Sequence, residues 1–124
     1  MPMLITKMTT PKGHDIVRME SSGGIVAADA EAMTKLLAHP DFADRAILAL
    51  VDHGARFSPE ARQTFTKTNT KLNAKPVAIV VSSAPLRVML SFIIRMSGVA
   101  ATTRFFSSET DAMAFIEEKL DAQK

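Results

Sequence analysis

The stretch PVAIVVSSAPLRVMLSFIIRMSGVAATTRFFSSETDAMAFI, Pro76 to Ile116, decides the fold. Val77 to Val81 is a short, continuous apolar run, the signature of a strand covered on both faces. Ser82 and Ser83 end it, and Pro85 suits the first turn of a helix. Leu86 to Met96 reads as an almost wholly apolar helix, and Thr103 to Phe106 as a second short strand. Ser107 or Ser108 can cap the final helix, with Glu109 and Asp111 placed at the positive end of its dipole. Ala112, Met113, Phe115, Ile116 and Leu120 form the apolar face of that helix. Strands alternating with helices imply parallel pairing through right-handed crossovers.

Upstream, Leu4 to Met8 and Ile16 to Met19 are short strand candidates. TTPKGHD lies between them, with Pro11 and Gly13 supplying turn chemistry. SSGG at Ser21 to Gly24 breaks the chain and reads as a turn; it lacks the spacing of a dinucleotide-binding fingerprint. A helix is predicted from about Ala28 to Ala38, with Met33, Leu36 and Leu37 on one face and Pro40 past its end. AILALV, Ala46 to Val51, is another strand of the type buried on both faces. Ser58-Pro59-Glu60 then opens a helix: Ser58 can cap, Pro59 fits the first helical position, and Glu60 favours the dipole. Ala61, Phe65, Thr68 and Leu72 follow at helical spacing, against an alternation of Thr64, Thr66, Thr68 and Thr70 that a strand would show. The start signal decides for the helix. The predicted order is ββαβαβαβα: one α/β domain over residues 1–124, with a mixed, mostly parallel sheet and packed helices.

Composition narrows the function. A chain of 124 residues is long enough to bury roughly two-thirds of its unfolded surface in one core. With no Cys there is no disulfide framework and no thiolate nucleophile or metal ligand, which fits a reducing cytoplasm. The opening MPMLITKMTTPKGHD has no apolar core of signal-peptide length. No apolar run approaches the ~20 residues of a membrane span. The net charge of +2 is spread along the chain without a run of adjacent Lys or Arg. A nucleic-acid binder concentrates its basic residues, so no nucleic-acid partner is expected. Phe105 and Phe106 are the candidate stacking residues, and read more plainly as a strand with one ring in the core and one at an edge.

The Leu86 to Met96 helix carries the strongest functional signal. Eight of its eleven residues are apolar. The exceptions, Arg87, Ser91 and Arg95, are spaced by four and form one polar ridge. Leu86, Met89, Ile93 and Met96 are expected to face the sheet. Val88 and Phe92 flank one side of them, Leu90 and Ile94 the other. A helix lying on a sheet buries one stripe, so one flank is left to be covered. A neighbouring helix of the same domain, a second copy of the chain, or an apolar ligand or membrane surface could cover it. Val88, Leu90, Phe92, Ile94 and Met96 are therefore the candidate interface or ligand surface. The methionines are adaptable groove liners.

Other motifs carry weaker chemistry. Asp52, His53 and Ser58 contain the residue types of a hydrolytic triad, but adjacent residues at a strand end point to opposite faces. A polar loop and an N-cap serine is the simpler reading, and no catalytic residue is assigned. His14, His39 and His53 lack metal-ligand spacing, so neither a metal nor a cofactor is expected. Ser82, Ser83 and Arg87 could hold an anion at a helix start, or the serines could simply cap it. Ser58 is a candidate regulatory site, because a phosphate there would meet the free amides at the positive end of a helix.

Three segments carry a family resemblance: FSPEARQTF (Phe57 to Phe65), VAIVVSSAPLRVMLSF (Val77 to Phe92) and TTRFFSSETDAMAFI (Thr102 to Ile116). From Ala46 onward the chain resembles small bacterial proteins of the STAS/SpoIIAA-like group. That group is related in fold to the anti-sigma-factor antagonists and, more loosely, to CRAL-TRIO lipid-transfer domains. The resemblance implies the fold and a non-enzymatic role. In the antagonists a serine at this strand-to-helix turn is phosphorylated and controls partner binding; Ser58 is the nearest match. Their pattern has Asp before the serine and a small residue and Gly after it, where this chain has Phe57, Pro59 and Glu60. The expected function is a cytoplasmic binding or regulatory module, homodimeric or paired with another protein. The alternative is a carrier of an apolar small molecule or lipid beside the 86–96 helix.

Overall fold

The computed structural model describes residues 3–42, 45–66, 75–97 and 102–122. They form one α/β domain. The central sheet has five strands: β1 (Met3–Thr9), β2 (Asp15–Ser21), β4 (Ile47–Val51), β6 (Val77–Val81) and β7 (Thr103–Phe106), in the order β1-β2-β4-β6-β7. β1 is antiparallel to β2, and every other neighbouring pair is parallel. Four helices are described: α1 (Ala27–Ala38), α2 (Pro59–Thr66), α3 (Ala84–Ser97) and α4 (Glu109–Ala122).

Two strands escaped the sequence reading. β3 (Gly24–Ile25) and β5 (Arg56–Phe57) pair in parallel as a separate small sheet. The SSGG segment is thus no simple break: Ser21 ends β2 and Gly24 opens β3. Of the two glycines in this segment Gly23 adopts positive φ, at 63°, a backbone state that costs a glycine little. Arg56 N–H bonds to Gly23 O at 2.8 Å and Ser58 N–H to Ile25 O at 2.9 Å. Two residues are too few to show a periodicity.

The sheet is covered unequally. On one face Val17, Ile47, Ala49, Val77, Ile79 and Val81 pack with Leu90 of α3, and Met3, Ile25 and Ala55 pack with Ala30 and Met33 of α1 and Ala61 of α2. α2 lies between α1 and α3. On the other face α4 is the one helix among the described residues, burying Ala112 and Ile116 against Ile16, Ala46, Leu48 and Ala78. Strand residues alternate between the two layers as the pleat requires. Phe105 joins the three-helix side and Phe106 the α4 side, each half-buried, so neither ring is the core residue expected of one of them.

Local rules account for the helix ends. Ser108 is the α4 cap: its Oγ accepts from Asp111 N–H at 3.2 Å. In α1 the Asp29 carboxylate accepts from Val26 N–H at 3.0 Å, and His39 is the C-cap. Met33 is buried and Leu37 half-buried, but Leu36 is exposed rather than on the packed face. The threonines of α2 fit a helix because Thr64 and Thr66 return their hydroxyls to the carbonyls of Glu60 and Arg62, at 3.0 and 2.8 Å. Thr68, Thr70 and Leu72 lie outside the described residues.

The β1–β2 turn is fastened to the end of α4. Lys12 N–H bonds to Glu117 Oε2 at 2.8 Å, and His14 Nε2 lies 2.7 Å from Asp121 Oδ1. The hydrogen bond from His14, with a second from Lys12 Nζ, holds the Asp121 carboxyl below the usual carboxylate range.

Candidate functional site

α3 follows β6 through Ser82 and Ser83. Arg87 N–H bonds to Ser83 O at 2.9 Å, and Leu86 N–H approaches Ser83 Oγ at 3.4 Å. Pro85 occupies the first turn, where its missing N–H costs nothing. Leu90 and Ile93 are buried, and Leu86, Met89 and Ile94 are half-buried against the sheet or α2. The opposite side carries Val88, Phe92 and Met96, which are 71%, 60% and 57% exposed. Spaced by four, they form one apolar row along the helix. Arg95 is exposed beside them.

This rotation of the helix corrects two expectations. Met96, expected against the sheet, is on the outside. Leu90 and Ile94, expected on a flank, turn inward, and Leu90 belongs to the main core. Of the five surface residues read from the sequence, the structure brings Val88, Phe92 and Met96 together on an open face.

Ser58 is held from both sides. Its N–H closes the β3–β5 pairing, and its Oγ accepts from Ala61 N–H at 3.0 Å, capping α2. α2 packs directly beside α3, so Ser58 and the apolar row belong to the same helical layer.

Asp52, His53 and Ser58 do not assemble as a triad. Asp52 to Ala55 form a turn, with Ala55 N–H bonded to Asp52 O at 3.0 Å and Gly54 N–H to Asp52 Oδ2 at 3.1 Å. This turn lets His53 Nδ1 come within 3.6 Å of Asp52 Oδ1, so the two side chains are neighbours rather than on opposite faces. The imidazole is 82% exposed, and the hydrogen bond made by the Ser58 hydroxyl is to Ala61 N–H in the α2 cap, not to His53. At the start of α3, the Arg87 guanidinium lies over the Phe105 ring, 5.6 Å from its centroid. That contact leaves no mark in the sequence, because the two residues belong to different elements, α3 and β7. Among the described residues no three His, Asp or Glu side chains gather as a metal site requires.

A family model described as a domain of unknown function, DUF7793, matches residues 25–120. Among solved structures the chain is similar to an uncharacterized protein of the DUF3478 family with a SpoIIAA-like fold from Shewanella loihica PV-4. The TM-score is 0.68 and the identity 19%, over 92% of this chain and 93% of that one. No curated protein matches. The fold is SpoIIAA-like, as the resemblance implied. Among the described residues no helix is long and apolar enough to cross a membrane.

Proposed function

The chain belongs to the DUF7793 family, and we propose that it is a non-enzymatic binding module of the cytoplasm whose docking face is the outer side of α3. One observation carries this reading: Val88, Phe92 and Met96 form a continuous apolar row, each more than half exposed. Fully burying such side chains is worth roughly 1.5–3 kcal/mol each, so a protein surface laid over the row would gain from all three at once.

The occupant we name is a second copy of the chain. Phe92 is central, with Val88 one turn before it and Met96 one turn after. Two copies related by a twofold axis at Phe92 would therefore place Val88 of one against Met96 of the other, which makes the row self-complementary. A carrier needs a concave site that encloses most of its ligand. The row stands instead on the convex side of a helix. Ser58 offers the regulatory point in this reading, since a phosphate there would add charge at the start of the helix that packs beside α3.

Sedimentation velocity over a range of concentrations tests the proposal. A concentration-dependent dimer that Phe92→Asp converts to a folded monomer supports it. A monomer at every concentration, unchanged by the substitution, overturns the homodimer.

A further inference from the structure

The α4 face of the sheet carries a second surface with a different chemistry. One cross-strand row runs through Leu4, Glu20, Leu50, Val80 and Phe106, each residue the register partner of the next. Register partners share a face, so this row lies on the α4 side. α4 buries Ile16, Leu48 and Ala78 further along the strands, but it leaves Leu4 50% exposed and Leu50 and Val80 half-buried. Together with Glu20, Ser22 and Asp52 these residues line an open cleft of about 440 Å³ at the ends of β2, β4 and β6.

The charge of the cleft is opposite to that of the chain. The whole sequence carries +2, yet among the described residues the cleft lining contains two carboxylates and neither Lys nor Arg. Arg18, one row further in, is shared between Glu20 at 3.6 Å and Glu109 at 2.8 Å, so one guanidinium faces two carboxylates. The Asp52 carboxylate accepts from Gly54 N–H and has the exposed His53 as its neighbour. A carboxylate placed between Leu4 and Leu50 in an otherwise apolar row is tolerated because water reaches it; the side chain of Glu20 is 45% exposed.

We infer that this cleft docks a segment of a partner protein in which an apolar residue adjoins a Lys or Arg. The apolar side chain rests on Leu4, Leu50 and Val80, and the cation meets Glu20 and Asp52. The charge complementarity favours a cationic occupant. The half-exposed Leu4 leaves one side open, which suits a chain segment better than a small molecule that a site must largely enclose. The surface lies across the sheet from the α3 row, so the inference stands independently of the proposed dimer.

The test is an NMR titration of the labelled protein with the capped peptide acetyl-Lys-Leu-Leu-Lys-amide. The same peptide with Glu in place of Lys, and octylamine, are the controls. Saturable shifts centred on Leu4, Glu20, Leu50 and Val80 are expected. The isosteric pair Glu20→Gln and Asp52→Asn should weaken binding by about tenfold or more, salt near about 0.5 M should weaken it as well, and Phe92→Asp should leave it unchanged. Absence of shifts along this row, equal binding of the acidic peptide, an unchanged affinity in the double variant, or octylamine binding as tightly as the peptide would each overturn the inference.

Discussion

Leu90 and Phe92 lie two positions apart on α3 and face opposite ways: Leu90 is 8% exposed within the core, and Phe92 is 60% exposed on the surface. Two steps of 100° separate them by more than half a turn. One helix thus serves both the core and the proposed interface, and the two roles are separable by mutation.

Leu90→Ala should destabilise the fold by about 2–5 kcal/mol, the cost of removing a core leucine. Phe92→Asp should change monomer stability by no more than about 0.5 kcal/mol, as for a surface site, while weakening self-association. Urea unfolding of both variants, read by circular dichroism, checks the contrast. Equal destabilisation by the two would mean that Phe92 is covered within its own domain.

Ser58→Ala removes the acceptor for Ala61 N–H and should cost about 1 kcal/mol. If Ser58 is also a regulatory point, Ser58→Glu should alter self-association or partner binding beyond the effect of Ser58→Ala. Matching dimerisation constants in the two variants would remove Ser58 from the account and leave it a capping residue.

Asp121 links stability to pH. Its carboxyl is held below the usual range in the folded chain by His14 and Lys12. The unfolded chain therefore binds a proton at higher pH than the folded one does. The contribution is fully present above the unfolded value, near about pH 4, and is lost as the pH falls through the lower folded value. Asp121→Asn should show a shallower fall in urea midpoint through this acid window than the wild type. Parallel curves would show that the contact with His14 carries no pH-linked stability.

Much of this architecture was legible in the sequence. AILALV and VAIVV declare themselves as inner strands because residues on both faces must be apolar, and Ser58-Pro59-Glu60 marks a helix start through capping and dipole chemistry alone. The rotation of α3 was not legible. Its sequence is apolar on three sides, so the inward stripe is chosen by packing on the sheet and α2, and this choice brought Leu90 and Ile94 inside and left Met96 outside. β3 and β5 were missed for a different reason: two residues of backbone pairing carry no side-chain pattern. The uncovered row at Leu4, Glu20 and Leu50 depends on strand register and on how much of the sheet α4 covers, and both are long-range properties.

Native mass spectrometry of the purified protein tests the central claim most directly, because one spectrum reports both assembly and bound mass. The proposed interface predicts a dimer of twice the chain mass with nothing added, and a monomer for Phe92→Asp. A bare monomer that the substitution leaves unchanged would contradict it, as would a monomer carrying a few hundred extra daltons, which would assign the apolar row to a carried ligand.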